Sequence, residues 1–265
     1  MSIGIETAGR PAPLILPTTE PVADFHPEPD DFCFCNSGKR FGGCCGSTDL
    51  VRPPPYGLFM FENFLDPKQA RELTDYAEQC EGERLMVIDN IQSTPDNIVK
   101  VEDPRRITER VKLGARRKEI QAMMGRAFID LAQRCVGAKL DWYELPDLMR
   151  YRQGGFYVRH ADSQNKDEAT NTWRKVIDRD LSMLIYLNDG YEGGELSFYK
   201  FNYQIRPRAG AAVLFPSDHR YLHQAETLKS GVRYALVSWA SVQGVPKIAS
   251  QPPQCAVPVE YKPGQ

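Results

Sequence analysis

The chain has 265 residues, of which 42% are hydrophobic and 26% are charged, a composition typical of globular proteins rather than disordered or fibrous ones. Its 33 Lys and Arg residues nearly balance 35 Asp and Glu residues, so the net charge of −2 offers no bulk attraction to nucleic acid or to an anionic membrane. No apolar run approaches the roughly 18 residues of a spanning helix and no secretory pattern opens the chain, which predicts a soluble, cytoplasmic protein with reduced cysteines.

Both ends of the chain are rich in proline. Residues 1–31 contain six prolines and many small or acidic residues, and we expect them to form a mobile leader. Such a segment cannot bury enough apolar surface to offset the entropy lost on ordering. The last segment, residues 244–265, has a similar composition and predicts a turn-like tail.

Four cysteines, Cys33, Cys35, Cys44 and Cys45, lie close together in the segment 32–48. Clustered thiols in a reducing compartment favour metal binding over disulfide formation, and four thiolates fit a closed tetrahedral zinc site. The segment resembles the SEC-C zinc-binding motif, which is found at the tail of a bacterial preprotein-translocase ATPase and in many other proteins.

A closed zinc site has no free coordination position, so it predicts a structural or recognition module rather than a catalytic one. The resemblance implies contact with a protein partner, for which Lys39, Arg40 and Phe41 are the candidate exposed residues. A structural knot that only caps the N-terminus is the alternative interpretation. The consecutive prolines of residues 51–56 then predict a stiff spacer and a domain boundary.

Two helices are predicted before the main β region. The first begins with Asp66 as N-cap, followed by a proline at the first helical position and a glutamine that completes a capping box. The second has an apolar stripe from Ile120 to Cys135 and stops at Gly137.

From about residue 146 onward, short apolar or alternating runs are separated by turn residues. This spacing predicts several β-strands in a sandwich, jelly roll or barrel. The predicted strands span residues 148–152, 156–162, 181–187, 195–199, 211–215, 221–226 and 232–240.

Four residues in this β region form a candidate metal and anion site. His160 and Asp162 are two residues apart in a predicted strand, so their side chains point to one face. With His223 from a later strand they make the two-imidazole, one-carboxylate triad that suits non-haem Fe(II) and leaves coordination positions open. Arg233 is suited to bind a carboxylate through two parallel hydrogen bonds. Taken separately, His160 and Asp162 could be surface residues, and Arg233 could form an internal ion pair. The combination of all four residues is a far more specific sign of a metal and anion site.

Sequence segments in the same region, and in the right order, strongly resemble the prolyl 4-hydroxylase-like branch of the Fe(II)/2-oxoglutarate-dependent oxygenases. The matching segments are residues 148–162, 184–198, 214–217 and 223–239. The resemblance covers about residues 146–242 and implies a mainly β fold with supporting helices. Its core would be a double-stranded β-helix (jelly roll, cupin-like), within a dioxygenase domain of residues 55–243.

The resemblance also implies residue roles. It makes His160, Asp162 and His223 the ligands of Fe(II), and Arg233 the partner of the distal carboxylate of 2-oxoglutarate. Tyr151 stands where this family often places a phenol that hydrogen-bonds the cosubstrate; a core aromatic is the alternative interpretation.

The implied activity is that of a dioxygenase which uses O2, decarboxylates 2-oxoglutarate to succinate and CO2, and hydroxylates a prolyl residue of a protein or peptide. Ascorbate is an implied accessory cofactor. One alternative is oxygenation of another side chain or of a free small molecule. Another is a non-catalytic binding protein that retains the jelly roll. Neither a membrane nor a nucleic acid is expected as a partner.

Two polar segments complete the predictions. Residues 163–180 lack a helix or strand period, and in similar hydroxylases the corresponding loop closes over the peptide. Trp173 and Arg174 are therefore predicted to face substrate, with a solvated insertion as the alternative. The basic run of residues 105–118 is interleaved with glutamates and is interpreted as a solvated helix face.

Overall fold

The computed structural model describes residues 13–49, 51–88 and 100–261. Across these residues no helix is both long enough and apolar enough to cross a membrane. The strands in chain order are β1 Val22–Ala23, β2 Phe59–Phe61, β3 Gly82–Arg84, β4 Met86–Ile88, β5 Lys100–Glu102, β6 Arg106–Ile107, β7 Glu109–Val111, β8 Leu140–Glu144, β9 Asp147–Tyr151, β10 Phe156–His160, β11 Gln164–Asp167, β12 Thr172–Lys175, β13 Leu181–Tyr186, β14 Glu192–Gly193, β15 Leu196–Phe198, β16 Tyr203–Ile205, β17 Ala212–Pro216, β18 His223–Ala225, β19 Leu228–Ser230, β20 Arg233–Val242 and β21 Ala256–Pro258. The helices are α1 Pro67–Gln79 and α2 Arg117–Val136, with short 3₁₀ turns at Phe41–Gly43, Gly114–Arg116, Tyr199–Phe201 and His219–Tyr221.

The first helix begins as its sequence predicts. The Asp66 side chain accepts hydrogen bonds from the backbone N–H groups of Lys68 and Gln69 at 2.9 Å each, and the Gln69 side chain accepts from the Asp66 N–H at 3.1 Å. This reciprocal pair satisfies donors that the helix itself leaves unpaired. The buried face of α1 carries Leu73 and Ala77.

The second helix also confirms its predicted stripe and stop. Ile120, Met124, Phe128 and Leu131 are buried along one side of α2. Gly137 ends the helix with φ at 67°, a left-handed conformation that glycine adopts without steric cost. Both helices join the hydrophobic core on the outer face of the larger sheet.

Two antiparallel sheets form the predicted jelly roll. The larger runs in the order β2-β17-β13-β20-β9-β7-β3, and the smaller in the order β16-β15-β18-β10-β6. Strand β13 shows how the sheet divides its side chains, because Met183 and Ile185 pack in the core with the helices while Leu184 and Tyr186 line a cavity between the sheets. This period-two alternation gives the larger sheet two buried faces.

The N-terminal segment differs from its prediction. Strand β1 pairs with β12, and Arg220 donates to the carbonyl oxygens of the first two described residues at 2.8 and 2.7 Å. Asp24 is buried and lies 3.0 Å from Lys200 Nζ. The expectation of a mobile leader is therefore wrong for residues 13–31, because backbone pairing and a buried ion pair replace the apolar core that the composition lacks. Residues 1–12 lie outside the described part of the chain.

The C-terminal segment is also tied to the fold rather than being only turn-like. Strand β21 pairs with β8 in the larger sheet. Asp178 accepts hydrogen bonds from the backbone N–H groups of Ile248 and Ala249 at 2.9 and 3.0 Å. The described part of residues 244–265 thus braces the sheet edge that α2 covers.

The cysteine segment packs against the smaller sheet and does not stand apart as a separate module. Cys33 and Cys45 belong to the same hydrophobic cluster as Phe198 and Phe201. The Phe34 ring stacks on Phe201 with a centroid distance of 5.8 Å. The segment and the jelly roll therefore share one core.

The predicted spacer after the cysteines is a point of attachment. Arg52, within residues 51–56, donates to the carbonyl oxygens of Cys44 and Cys45 at 3.0 and 2.6 Å and also to that of Phe201. One guanidinium thus links the cysteine segment to the 3₁₀ turn of the smaller sheet, because its planar fork can serve several carbonyl acceptors.

Candidate active site

The structure brings the predicted iron ligands to one point. Strands β10 and β18 are antiparallel neighbours, and His160 is paired in register with His223. Asp162 follows β10, and its carboxylate oxygens lie 3.4 Å from His160 Nε2 and 3.5 Å from His223 Nε2. One ligand atom from each residue lies within 4.8 Å of the other two, which is close enough to hold a single metal ion.

The main chain orients both imidazoles. His160 Nδ1 lies 2.8 Å from the Val158 carbonyl oxygen, and His223 Nδ1 lies 3.1 Å from that of Tyr221. Because a carbonyl can only accept, each Nδ1 carries the proton of the neutral ring, which leaves the Nε2 lone pair available to a metal ion. This is the tautomer that a metal ligand requires.

Asp162 is a buried carboxylate that remains charged. Ser182 Oγ donates to Asp162 Oδ2 at 2.7 Å and lies 2.7 Å from Ser217 Oγ. Burial by itself raises the pKa of Asp162, but the two imidazoles and the Ser182 hydrogen bond outweigh it and hold the pKa well below its ordinary value. The site therefore carries one fixed negative charge.

His223 is held in an apolar environment. Its ring centroid lies 5.9 Å from that of Phe198 and 4.9 Å from that of Phe215. Burial, assisted by the nearby His160, lowers the pKa of His223 to about 4. The imidazole is therefore neutral at physiological pH, when its lone pair is available to a metal.

A cavity of about 210 Å³ lies between the two sheets and opens onto the triad. Both sheets contribute to its walls, with Leu196 and Ala225 from the smaller sheet and Tyr186 and Ala235 from the larger. Apolar and polar groups share its walls about equally, and the charged groups that face the cavity decide what it can bind.

Arg233 is a buried cation in this cavity. It pairs in register with Tyr151 of β9, and its guanidinium carbon lies 4.0 Å from the centre of the Tyr151 ring. One guanidinium nitrogen donates to the Gly194 carbonyl oxygen, while the buried Nε has no partner. No carboxylate of the described residues lies within ion-pair distance of Arg233, so the arrangement fits an incoming anion. Tyr151 also lines the cavity.

The residues present fit the cofactors that the sequence implies. Two imidazoles on adjacent strands and one carboxylate suit Fe(II), and the cavity gives access to the coordination positions they leave open. The unpartnered Nε of Arg233 suits the far carboxylate of a 2-oxo acid held at such a metal.

Sequence reasoning missed two cavity residues in the basic run. Arg106 and Arg110 lie on β6 and β7 and line the cavity, so the interpretation of this run as a solvated helix face is wrong. Only residues from Arg117 onward belong to α2. The missed signal is the period of two that places Arg106, Thr108 and Arg110 on one face of an extended chain.

The predicted substrate loop is a β-hairpin with a different orientation. Strands β11 and β12 pair along residues 164–175. Trp173 is buried and stacks on His219 with a centroid distance of 5.5 Å, whereas Arg174 is exposed on the opposite face. Neither residue is part of the cavity lining, because pairing with β1 turns the Trp173 side chain toward the protein body.

The second candidate metal site is the cysteine cluster. One sulfur atom from each of Cys33, Cys35, Cys44 and Cys45 lies within 4.8 Å of the others, and all four thiols are free. Burial raises the pKa of Cys33 to about 11. At Cys35, burial alone would raise the pKa, but hydrogen bonds from Ser37 and Cys33 outweigh burial and lower the pKa to about 7. Four sulfur atoms this close can bind a cation that displaces thiol protons, which is the behaviour of a four-cysteine site.

The exposed surface of this cluster is smaller than predicted. Lys39 and Arg40 are exposed, but Phe41 is buried. Its ring lies so close to Gly46 that a Cβ at that position would meet it at 2.2 Å. Phe41 therefore belongs to the core and is not available for partner contact.

Comparison with known proteins identifies relatives of the part of the chain that contains this site. The 2OG-Fe(II) oxygenase superfamily matches residues 146–241, which include the triad and Arg233. A PKHD-type hydroxylase from Psychrobacter sp. (strain PRwf-1) is 30% identical over 194 residues, covering 69% of this chain and 68% of the relative. Mouse prolyl 3-hydroxylase 3 is 38% identical over 89 residues, but these are only 30% of this chain and 12% of that protein.

A solved structure supports the fold. The prolyl hydroxylase from Trichoplax adhaerens, in complex with a hypoxia inducible factor peptide fragment, superposes with a TM-score of 0.51 at 20% identity. The match covers 70% of this chain and 84% of that one. Together with the extended similarity to the Psychrobacter protein, these findings show that the chain is a 2-oxoglutarate-dependent dioxygenase and belongs to the 2OG-Fe(II) oxygenase superfamily.

Proposed function

We propose that the protein hydroxylates a prolyl residue of a protein or peptide, with Fe(II) held by His160, Asp162 and His223. The observation that carries the site assignment is the convergence of the three ligand atoms within 4.8 Å at the end of the cavity that contains Arg233. The prolyl substrate is supported by the names of the relatives, several of which are prolyl hydroxylases.

The reaction consumes 2-oxoglutarate and O2. One oxygen atom of O2 enters a substrate C–H bond as hydroxyl, and the other leaves in succinate as 2-oxoglutarate loses CO2. Iron(II) supplies the redox chemistry that couples these two changes.

The protein groups have separate tasks in this reaction. Arg233 binds the distal carboxylate of 2-oxoglutarate and Tyr151, next to it, donates a hydrogen bond to the cosubstrate. Ser182 holds the Asp162 carboxylate in its ligating orientation. The apolar part of the walls, which includes Leu184, Leu196 and Val237, limits water around the reacting carbon and protects it from side reactions.

The cysteine cluster is proposed to bind a structural zinc ion. Its packing against the smaller sheet supports a role in stability. Recruitment of a protein partner through Lys39 and Arg40, use of ascorbate and a cytoplasmic location remain predictions of the sequence.

The proposed function is tested by incubating the purified protein with Fe(II), 2-oxoglutarate and a cell extract, and by measuring succinate and one-oxygen mass gains on proteins. Gains on particular prolines that are absent with His160→Ala support the proposal. Gains on other residues, or succinate without any modified protein, contradict the prolyl substrate and favour the alternative of another side chain or a small molecule.

A further inference from the structure

The cavity contains more positive charge than the cosubstrate requires. Its arginines are Arg106, Arg110, Arg179 and Arg233. Arg110 is neutralised by Asp147, with nitrogen-to-oxygen distances of 2.9 and 3.1 Å, and Arg179 by Glu144, at 2.6 and 2.7 Å. Arg106 and Arg233 are left without a carboxylate partner among the described residues.

Arg106 is held in place without being neutralised. Its Nε is buried and has no hydrogen-bond partner, and one terminal nitrogen lies 3.6 Å from Met149 Sδ, which is a weak acceptor. Asp147 and Asp103, two carboxylates that feel the charge of Arg106, are already engaged, because Asp147 pairs with Arg110 and Asp103 pairs with Arg105. A partly desolvated cation in this state gains free energy when an anion reaches it.

Arg106 lies beside the proposed iron ligands and on the opposite sheet from Arg233. It is on β6, the edge strand of the smaller sheet, where it pairs in register with Tyr157. Its guanidinium carbon lies 4.7 Å from the centre of the Tyr157 ring, and that ring stacks on His160 at 3.7 Å. One aromatic ring therefore separates Arg106 from a proposed metal ligand.

We propose that Arg106 binds a carboxylate of the primary substrate, located close to the residue that is oxidised. The inference rests on the proposed function and narrows its substrate class to acidic protein or peptide segments. A guanidinium fork matches a carboxylate by two parallel hydrogen bonds, so the contact also fixes the orientation of the substrate. The carboxylate belongs either to an Asp or Glu side chain or to a free chain terminus.

The test compares binding of fluorescent seven-residue peptide pools with a central proline to the full chain, loaded anaerobically with Mn(II) and 2-oxoglutarate. Three amidated pools carry flanking Asp and Glu, Asn and Gln, or Lys and Arg, and a fourth neutral pool has a free C-terminal carboxylate. The variants are Arg106→Gln, Arg106→Glu and the control Arg159→Gln, which removes an exposed charge on β10 that does not line the cavity.

We expect the wild-type protein and Arg159→Gln to prefer one of the carboxylate-bearing pools, and Arg106→Gln to lose about 10-fold of this preference. Arg106→Glu is expected to reverse it toward the basic pool. The identity of the preferred pool shows whether Arg106 binds a side-chain carboxylate or a terminal carboxylate. Equal affinity for all pools, no binding of any pool, or the same preference in Arg106→Gln would overturn the proposal.

Two further measurements distinguish a substrate contact of Arg106 from a role in cosubstrate binding, and distinguish failure of this inference from failure of the proposed function. Affinity for 2-oxoglutarate is expected to be unchanged in Arg106→Gln, and a loss as large as that in Arg233→Gln would assign Arg106 to the cosubstrate instead. The same peptide pools are also tested in parallel aerobic reactions with Fe(II). If the preference for a carboxylate-bearing pool depends on Arg106 but no proline gains oxygen, the prolyl substrate is contradicted and the proposed carboxylate contact still stands.

Discussion

The triad and the cysteine cluster each bring metal-binding atoms within 4.8 Å of one another, yet they are built for different purposes. The triad has three ligands, a fixed negative charge and an open side toward the cavity. The cluster has four thiols, which satisfy a tetrahedral ion completely. The number of ligands and the access to the ion are therefore the features on which the proposed catalytic and structural roles of the two sites rest.

The two regions are also physically connected. Phe198 and Phe215 contact the His223 ring. The same two phenylalanines belong to the hydrophobic cluster that includes Cys33 and Cys45. The cysteine cluster therefore supports the wall behind one proposed iron ligand. If the cluster binds zinc as proposed, loss of that ion should disturb the iron site, whereas loss of the iron should leave the cysteine cluster intact.

The largest expected effect follows from changing Asp162. Asp162→Ala removes the only carboxylate of the triad, and we expect iron binding and succinate formation to fall by at least about 100-fold, since even outer partners of metal ligands matter 10–100-fold. Iron content and succinate are measured, with Asp167→Ala on the exposed hairpin as the control. Wild-type succinate formation in Asp162→Ala would remove this residue from the site.

Removal of the zinc ligands should act on stability first. In the double variant Cys33→Ser with Cys45→Ser we expect loss of bound zinc and a fall in Tm of at least roughly 10 °C, because a structural zinc ion contributes to folding directly. Cys255→Ser is the matched control outside the cluster. If the double variant melts like the wild type, the cluster is not a structural zinc site, and the contrast between the two regions fails.

Arg233→Ala tests the cosubstrate end of the cavity. The change leaves a 2-oxoglutarate carboxylate without its buried partner, so we expect affinity to fall by about 100-fold while the zinc content and the Tm stay close to those of the wild type. Calorimetric titration with 2-oxoglutarate measures this, with Arg174→Ala as an exposed control. Unchanged affinity would show that another group binds the distal carboxylate.

The smallest expected effect concerns the contact between the two regions. Phe34→Ala removes a ring that stacks on Phe201 but leaves all the cysteines in place. We expect a loss of about 2 kcal/mol in unfolding free energy with zinc retained, less than for a fully buried phenylalanine because the ring is half-exposed. Phe32→Ala, whose ring is exposed, should change stability by no more than about 0.5 kcal/mol. Equal effects in chemical denaturation would mean that the stacked ring does not couple the regions.

The sequence alone determined the features that depend on short-range chain geometry. The capping box at Asp66 and the stop at Gly137 follow from backbone hydrogen bonding and left-handed φ within a few residues. The spacing of His160 and Asp162 predicted that their side chains meet, although β10 ends at His160 and Asp162 follows it. The order of motifs through Arg233 carried the resemblance that predicted the jelly roll. These inferences required no knowledge of which strands become neighbours.

Only the tertiary structure decided the features that depend on long-range pairing. The pairing of β6 with β10 turns Arg106 toward the cavity, and the pairing of β1 with β12 turns Trp173 away from it. The cysteine segment joins the jelly roll because Phe34 finds Phe201, a contact between residues far apart in the chain. Composition and local period hold no information on such partners, since burial there depends on surfaces that the fold brings together.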